Sequence, residues 1–355
     1  MPALRRAQHG QDYTRSGARM LAGDPMRYTS LVQALDDETL RCNVCQWHCE
    51  LKPHQAGRCR VRARDAHGIA IHNDGLISVA TVGPIDEHRF WHFFPGTQVL
   101  TLGGWGYAFP EDQHRGQYGA IPSDERQQRR LAPERAATFA LDRLCRGIVW
   151  SYSDPSVAHE YVFDLLRTAR ATSRYTGLVT SGFLTMEALD QIGHYLDGMC
   201  LELRAFDDAA YRRLAGVERW RGVLEVASHA FHRWHCHVEV VTRLHPGVND
   251  SPDQIHGLVD WILTALSPFT PWHVIPGDAG AAAAAAVARA RRIGAEAGLI
   301  YVYGPEPGQA TVCPSCMSVV IERSGGITRV TGIEDGRCRT CGADLHVRTS
   351  IFKRA

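Results

Sequence analysis

The sequence predicts an α/β protein in which a partial TIM-type (β/α)6 barrel lies between two cysteine-rich modules. Three observations support this prediction. Short apolar runs alternate with helical stretches through the middle of the chain, and four cysteines cluster on each side of that middle. The length of 355 residues is also enough to bury one core of barrel size. A doubly wound sheet is the structural alternative, because it shows the same alternation.

Composition and length set the broad class and the domain boundaries. With 39 basic and 38 acidic residues, the chain has no global field to attract nucleic acid or an anionic membrane, so a small-molecule substrate or a protein partner is expected. The first 30 residues contain no apolar core of signal-peptide length, which favours a cytoplasmic protein. The predicted units are a mobile N-terminus (1–37), an N-terminal cysteine-rich module (38–96), the partial barrel (97–305) and a C-terminal zinc ribbon (306–355).

The middle of the chain contains the repeated strand and helix units. The candidate strands cover 97–103, 147–152, 177–181, 199–204, 237–244, 271–275 and 299–303. One of the helices between them has apolar residues at helical spacing, namely Val157, Tyr161, Val162, Leu165, Leu166 and Ala169. About six such units fit a partial barrel better than a full barrel of eight.

The polar residues that follow these strands are the candidate site. Active sites of β/α barrels lie at the C-terminal ends of the strands, so the strand-end residues should meet around one mouth. These residues are the loop 103–122, Tyr152, Ser153, Asp154, Thr180, Ser181, Glu202, Arg204 and His273.

The C-terminal cysteines form two Cys-x2-Cys pairs with the spacing of a zinc ribbon. They are Cys313, Cys316, Cys338 and Cys341. Four thiolates in a tetrahedral array suit zinc, and a closed site of this kind leaves no open position for a substrate. We therefore predict a structural zinc ion that holds a small module together.

A second quartet near the N-terminus is less regular. Its members, in a Cys-x2-Cys-x3-Cys-x9-Cys pattern, are Cys42, Cys45, Cys49 and Cys59. Zinc is the preferred interpretation, and an iron–sulfur cluster is the alternative, because four thiolates satisfy either group. Cys145, Cys200 and Cys236 stand alone and are expected to be small buried residues.

A series of short motifs then occurs in the order found in one known family. The motifs are Gly57–Arg62, Gly83–Asp86, His92–Gly96, Tyr152–Pro155, Thr180–Phe183, Glu202–Arg204, Pro246–Asp250 and Pro271–His273. From about residue 38 to residue 350 the chain resembles the radical SAM proteins of the AmmeMemoRadiSam system, relatives of the activases of glycyl radical enzymes. The resemblance implies the radical SAM type of partial barrel.

The resemblance also implies a change at the cluster loop. In the family this loop reads Gly-Cys-x3-Cys-x2-Cys, and its three thiolates hold a 4Fe–4S cluster that binds S-adenosylmethionine (SAM). The matching positions here are Tyr107, Glu111 and His114. A phenol, a carboxylate and an imidazole cannot replace three thiolates on such a cluster, so no cluster is expected at the barrel mouth.

We therefore predict a SAM-binding enzyme of small-molecule biosynthesis that works without radicals. SAM is still an electrophile without iron, and a positioned nucleophile and a base can support alkyl transfer or cyclisation. The candidate catalytic residues are Asp154, Glu202, Glu111, His114 and Tyr107. The candidate SAM-binding residues are Tyr152, Ser153, Asp154, Thr180, Ser181, Glu202, Arg204 and His273.

Two other functions are compatible with the same residues. The chain could be a catalytically inactive scaffold that partners an active enzyme and docks through its zinc modules. It could also be a metal-dependent enzyme in which Glu111 and His114, with Asp112 or His273, hold one metal ion.

Overall fold

The computed structural model describes residues 26–114, 119–306 and 308–351, apart from the side chains of Gln113 and His114. Residues 1–25 of the predicted mobile N-terminus therefore lie outside the described residues. Within the described residues that follow, strand β1 (Val32–Ala34) pairs with β2 (Leu40–Cys42). Ordered structure thus begins before residue 38.

The centre of the protein is a large, mainly parallel sheet. Its strands are β6 (Leu76–Pro84), β7 (Gln98–Gly104), β8 (Arg129–Arg130), β9 (Gly147–Trp150), β10 (Tyr175–Thr180), β11 (Gly198–Glu202), β12 (His237–Leu244), β13 (Trp272–Pro276) and β14 (Val302–Tyr303). Within the described residues these nine strands follow the order β14-β13-β12-β11-β10-β9-β7-β6-β8. Strands β7 and β9 to β14 are parallel, while β6 and β8 add an antiparallel edge. The predicted parallel sheet is confirmed. The row of strands is open at β14 and β8, so the barrel is not confirmed.

Helices cover one face of the sheet, which we call the outer face. They are α1 (Pro133–Asp142), α2 (His159–Ala171), α3 (Met186–Gly193), α4 (Asp208–Ala215), α5 (Gly222–His232), α6 (Pro252–Trp261) and α7 (Ala281–Glu296). Apolar residues from every one of these helices share a single core with outward-facing strand residues. A doubly wound sheet would have helices on both faces. Among the described residues, no helix is both long and apolar enough to cross a membrane.

Local sequence signals explain where several of these helices begin. The side chains of Thr185, Asp207 and Ser251 accept hydrogen bonds from the backbone N–H groups that open α3, α4 and α6. Such a cap contributes about 1 kcal/mol to helix stability. Because each capped helix starts shortly after a strand, the chain between them is short and its course at the strand end is fixed.

The other face of the sheet, the inner face, packs against residues 85–97, which we call the plug segment. Phe90, Phe93 and Phe94 of this segment are buried against inward-facing strand residues such as Val149 and Val241. Burying each ring contributes about 1.5–3 kcal/mol. A Cβ on Gly198 would lie only 2.8 Å from the Phe93 ring, so this strand position needs a glycine.

The two cysteine-rich modules are small antiparallel units. The N-terminal module contains β1, β2, β3 (Glu50–Leu51), β4 (Arg62–Arg64) and β5 (Ile69–Ile71). The C-terminal module contains β15 (Thr311–Val312), β16 (Val319–Ser324), β17 (Ile327–Val330), β18 (Ile333–Glu334) and β19 (Arg337–Cys338). Arg323 donates to the Trp91 carbonyl at 2.7 Å, and the Arg348 backbone N–H donates to the His92 carbonyl at 2.7 Å. The C-terminal module is therefore attached to the plug segment.

Candidate active site

A cavity of about 440 Å³ lies at the C-terminal ends of the parallel strands. Ligand pockets in proteins have volumes of about 300–1,000 Å³, so this mouth cavity can hold a small molecule. The loops after β7, β9, β10 and β11 form part of its wall, and the plug segment contributes Glu87, His88 and Arg89.

Most of the strand-end residues predicted from the sequence meet in this cavity. The predicted residues in its wall are Tyr107, Tyr152, Ser153, Asp154, Thr180, Ser181, Glu202 and Arg204. They come from four different loops or strand ends, and the parallel order of the sheet brings them together.

Three other predicted residues are not brought into this wall by the described structure. Glu111 is exposed on a 3-10 turn, Pro110–His114, and its neighbour Asp112 lines the cavity instead. The side chain of His114 lies outside the described residues. His273 is fully buried, and its Nε2 lies 2.8 Å from a carboxylate oxygen of Glu239.

Asp154 connects two of the loops around the cavity. One carboxylate oxygen accepts the Ser156 backbone N–H at 2.9 Å and caps the 3-10 turn Pro155–Ala158. The other accepts from the Ser181 backbone N–H at 2.8 Å, the Ser181 hydroxyl at 2.6 Å and the Thr180 hydroxyl at 3.2 Å. Because both oxygens are engaged within the protein, Asp154 holds the β9 and β10 ends together.

Arg204 forms an ion pair across the mouth. Its guanidinium donates to both carboxylate oxygens of Asp112, at 3.2 and 3.1 Å. Burial opposes the charged form, but the negative charges of Asp112 and Glu202 outweigh it and raise the pKa of Arg204. Its Nε is buried without a partner among the described residues. The pair therefore fixes the loop after β7 against the end of β11.

His88 is a cavity residue that the sequence did not indicate. Its Nε2 lies 2.7 Å from the Thr101 hydroxyl, and its ring packs edge-on against Tyr152. Burial lowers the pKa of His88 to about 4, so the imidazole is neutral at pH 7. The aromatic residues that follow His88 in the plug segment could have indicated its position, because so apolar a run predicts a buried segment and not an exposed loop.

Two further arginines face the cavity and were also missed. Arg89 comes from the plug segment, and Arg243 stands two residues after Val241 on the inner face of β12. Period-two alternation from Val241 was a usable signal for Arg243, because residues i and i+2 of a strand share one face. The cavity thus offers guanidinium donors, the Glu202 carboxylate, two phenols and a neutral imidazole.

Burial raises the pKa of the Cys200 thiol well above its usual range, so this cysteine does not act as a nucleophile there.

The C-terminal cysteines are arranged as a metal site. One ligand atom from each of Cys313, Cys316, Cys338 and Cys341 lies within 4.8 Å of all the others. Hydrogen bonds with Ser318 lower the pKa of the Cys316 thiol to about 6, which favours the thiolate that a metal needs. Four thiolates can hold zinc or an iron–sulfur centre.

The N-terminal cysteines lie near one another but are more widely spread. A Cβ on Gly57 would lie 3.7 Å from the Sγ of Cys49 and 3.8 Å from that of Cys59. Among the described residues, only the C-terminal quartet places three or more ligand atoms within 4.8 Å of one another. Zinc at Cys42, Cys45, Cys49 and Cys59 remains a prediction. Within the described residues, Glu111 and Asp112 belong to no group of three or more such ligand atoms.

The N-terminal module contacts the loops of the mouth directly. The Trp47 indole donates to the Ala108 carbonyl at 2.7 Å, and the Gln46 amide donates to the Leu184 carbonyl at 2.9 Å. Ala108 lies in the cavity wall. The position of the loop after β7 thus depends on the cysteine-rich module beside it.

Comparison with known proteins gives distant relatives. No family model matches the chain. The chain is 27% identical to the uncharacterized protein MJ0808 of Methanocaldococcus jannaschii over 337 residues, which cover 91% of this chain and 99% of that protein. It is 26% identical over 117 residues to the (2S)-3-sulfopropanediol sulfolyase activating enzyme of Bilophila wadsworthia, covering 33% of this chain and 38% of that protein.

Solved structures of the radical SAM type are also similar. A radical SAM methyltransferase from Sphaerobacter thermophilus matches with a TM-score of 0.46 and 15% identity, over 80% of this chain and 77% of that one. At that TM-score the likeness carries no argument about the activity of this chain.

Proposed function

We propose that the protein binds SAM in the mouth cavity and uses it heterolytically, in alkyl transfer or cyclisation of a small molecule. The observation that carries this proposal is the convergence of eight predicted strand-end residues on one cavity of about 440 Å³. One relative, the (2S)-3-sulfopropanediol sulfolyase activating enzyme, is named as an activating enzyme, in line with the activases that the sequence motifs resemble.

The residues of the mouth support chemistry without a 4Fe–4S cluster. No cysteine occurs between Cys59 and Cys145, so the loop after β7 has no thiol to offer. Tyr107 of that loop lies in the cavity wall, and Glu111 faces solvent. A cluster bound through three protein thiolates would find only the single buried thiol of Cys200 in the wall.

Several cavity residues have a role in this proposal. Asp154 and the Asp112–Arg204 pair keep the loops in place, and the Ser153 and Ser181 side of the cavity accommodates the adenosyl part. Glu202 is the acceptor for the SAM amino group, because its only ion pair among the described residues is a 3.8 Å approach to Arg243. His88, neutral at pH 7, offers its imidazole as a hydrogen-bonding group for the substrate.

Calorimetric titration with SAM and with S-adenosylhomocysteine tests this proposal on protein purified in air. We expect a dissociation constant in the micromolar range or below, and about tenfold weaker SAM binding in Glu202→Gln, because one charge-assisted hydrogen bond is lost. Glu187→Gln, an exposed change on α3, is the matched control.

Two outcomes would contradict the proposal. No heat with either ligand would mean that the cavity does not bind SAM, and the scaffold hypothesis would then be preferred. Formation of 5′-deoxyadenosine after anaerobic reconstitution with iron and sulfide and reduction would show that cluster-dependent radical chemistry is retained.

A further inference from the structure

Two guanidinium groups from separate parts of the chain face the same side of the mouth cavity. Arg89 is the residue that ends the 3-10 turn of the plug segment, and Arg243 lies near the C-terminal end of β12. Neither arginine belongs to the strand-end residues that the proposed function assigns to SAM.

Neither guanidinium is neutralised in the way that Arg204 is. Within the described residues, no carboxylate oxygen comes within 4.0 Å of Arg89. The nearest to Arg243 belongs to Glu202, at 3.8 Å, which is too long for a hydrogen bond. Burial, and then the positive charge of Arg243, lower the pKa of Arg89. The partly buried Arg89 and the more exposed Arg243 thus repel each other on one side of the cavity, and an anion between them would remove that repulsion.

Glu87 also lines the cavity, but among the described residues none of its carboxylate oxygens lies within 4.0 Å of either arginine. Val241 and Ile275 form an apolar floor, and the Cys200 thiol beside them is kept neutral by burial. The hydroxyl groups of Ser153, Thr180 and Ser181 lie on the β9 and β10 side of the cavity. An anionic group bound at the arginines would therefore sit apart from the adenosyl side.

We propose that Arg89 and Arg243 form an oxyanion subsite that holds the carboxylate or phosphate group of the second substrate. This inference rests on the proposed function, since it assigns the second substrate of the same cavity. Arginine suits such a role because its planar fork donates two parallel hydrogen bonds to a carboxylate or a phosphate. The substrate class is thus a small molecule that carries an anionic group on an otherwise apolar body.

The test is a set of titrations with inorganic phosphate and with succinate, each with and without saturating S-adenosylhomocysteine. We expect one of these probes to bind, and Arg89→Gln and Arg243→Gln each to weaken it by about tenfold or more. Phosphate binding alone indicates a phosphorylated substrate, and succinate binding alone indicates a carboxylic acid. The exposed residue Arg213 on α4 supplies the control variant Arg213→Gln.

The affinity for SAM, measured on the same variants, separates the two proposals. The subsite is supported if the variants bind the probe more weakly while their SAM affinity is unchanged. It is also supported if the variants bind the probe more weakly and the protein does not bind SAM at all. Equal losses for SAM and probe would overturn it, because the arginines would then bind SAM itself. Probe binding that is absent in the native protein or unchanged in both variants would overturn it as well. Arg243→Lys, which keeps the charge and loses the fork, covers the case in which a Gln variant does not fold.

Discussion

Asp154 and Arg204 are polar residues at the mouth whose side chains form hydrogen bonds within the protein. Residue type and position suggested direct SAM contacts for both. The structure shows that Asp154 joins two strand ends and that Arg204 is paired with Asp112. The other side chains that line the cavity include Glu202, Tyr107 and the missed residues His88, Arg89 and Arg243.

Replacing Asp154 by asparagine tests its positioning role. The amide nitrogen is a donor, so it cannot accept from the Ser181 N–H and hydroxyl or from the Thr180 hydroxyl in the way the present oxygen does. We expect the free energy of unfolding to fall by about 1–3 kcal/mol, measured by chemical denaturation. Asp142→Asn, at the exposed end of α1, should change it little. Equal stability of the two variants would exclude the bridging role.

The histidine in the cavity should make stability depend on pH. Burial lowers the pKa of His88 to about 4, below the value of about 6.5 expected in the unfolded chain. Between these two pH values the unfolded state binds more protons, so stability is present above pH 6.5 and is lost as the pH falls toward 4.

The variant His88→Gln should therefore lose less stability than the native protein over this range. We expect a difference on the order of 2 kcal/mol between neutral and acidic conditions, from denaturation curves at a series of pH values. Other buried histidines still contribute to the remaining slope, so the comparison is between variants. His256→Gln, at an exposed position on α6, should keep the native slope. If His88→Gln also keeps it, His88 is not held neutral by burial.

At the scale of elements, the sequence predicted the strands, because their positions follow from the local pattern of apolar residues. The seven candidate strands all occur, and 237–244 matches β12 at both ends, because apolar periodicity reports burial residue by residue. The plug segment was not predicted as an element. Its packing depends on Phe93 meeting Gly198, more than 100 residues away, and no local pattern carries that information.

The C-terminal cysteines are the group whose clustering the sequence predicted most directly. Each Cys-x2-Cys pair closes its own short turn, and the packing of the C-terminal module brings the two turns together, so that the four ligand atoms lie within 4.8 Å of one another. We expect Cys341→Ser to lower the metal content by about one ion per chain, since a closed four-thiolate site loses one ligand. Elemental analysis and the visible spectrum of the protein give the metal and distinguish zinc from an iron–sulfur centre.

Cys145→Ala is the control for that experiment, because Cys145 is a buried cysteine outside both quartets. Its metal content should equal that of the native chain. A Cys341→Ser protein with unchanged metal content would show that the C-terminal thiols bind no metal.

At the scale of the whole molecule, one buried carboxylate joins three parts of the fold that the sequence left separate. Glu239 of β12 is fully buried and accepts hydrogen bonds from the His92 backbone N–H of the plug segment and from the His273 ring of β13. The His92 ring is hydrogen-bonded to the Tyr303 hydroxyl, which contacts Thr311 of the C-terminal module. His273, which the sequence assigned to SAM, belongs to this network.

Neutralising Glu239 should therefore weaken the assembly of sheet, plug segment and C-terminal module together. Burial opposes its charged form, but hydrogen bonds from His237 and His273 outweigh burial and lower the pKa of Glu239, so it is ionised at pH 7. In Glu239→Gln the amide cannot accept at both former oxygens, and we expect a loss of about 2–4 kcal/mol in the free energy of unfolding. Glu225→Gln, an exposed change on α5, is the matched control. Denaturation curves that coincide for the two variants would mean that the three parts are held together by apolar packing alone.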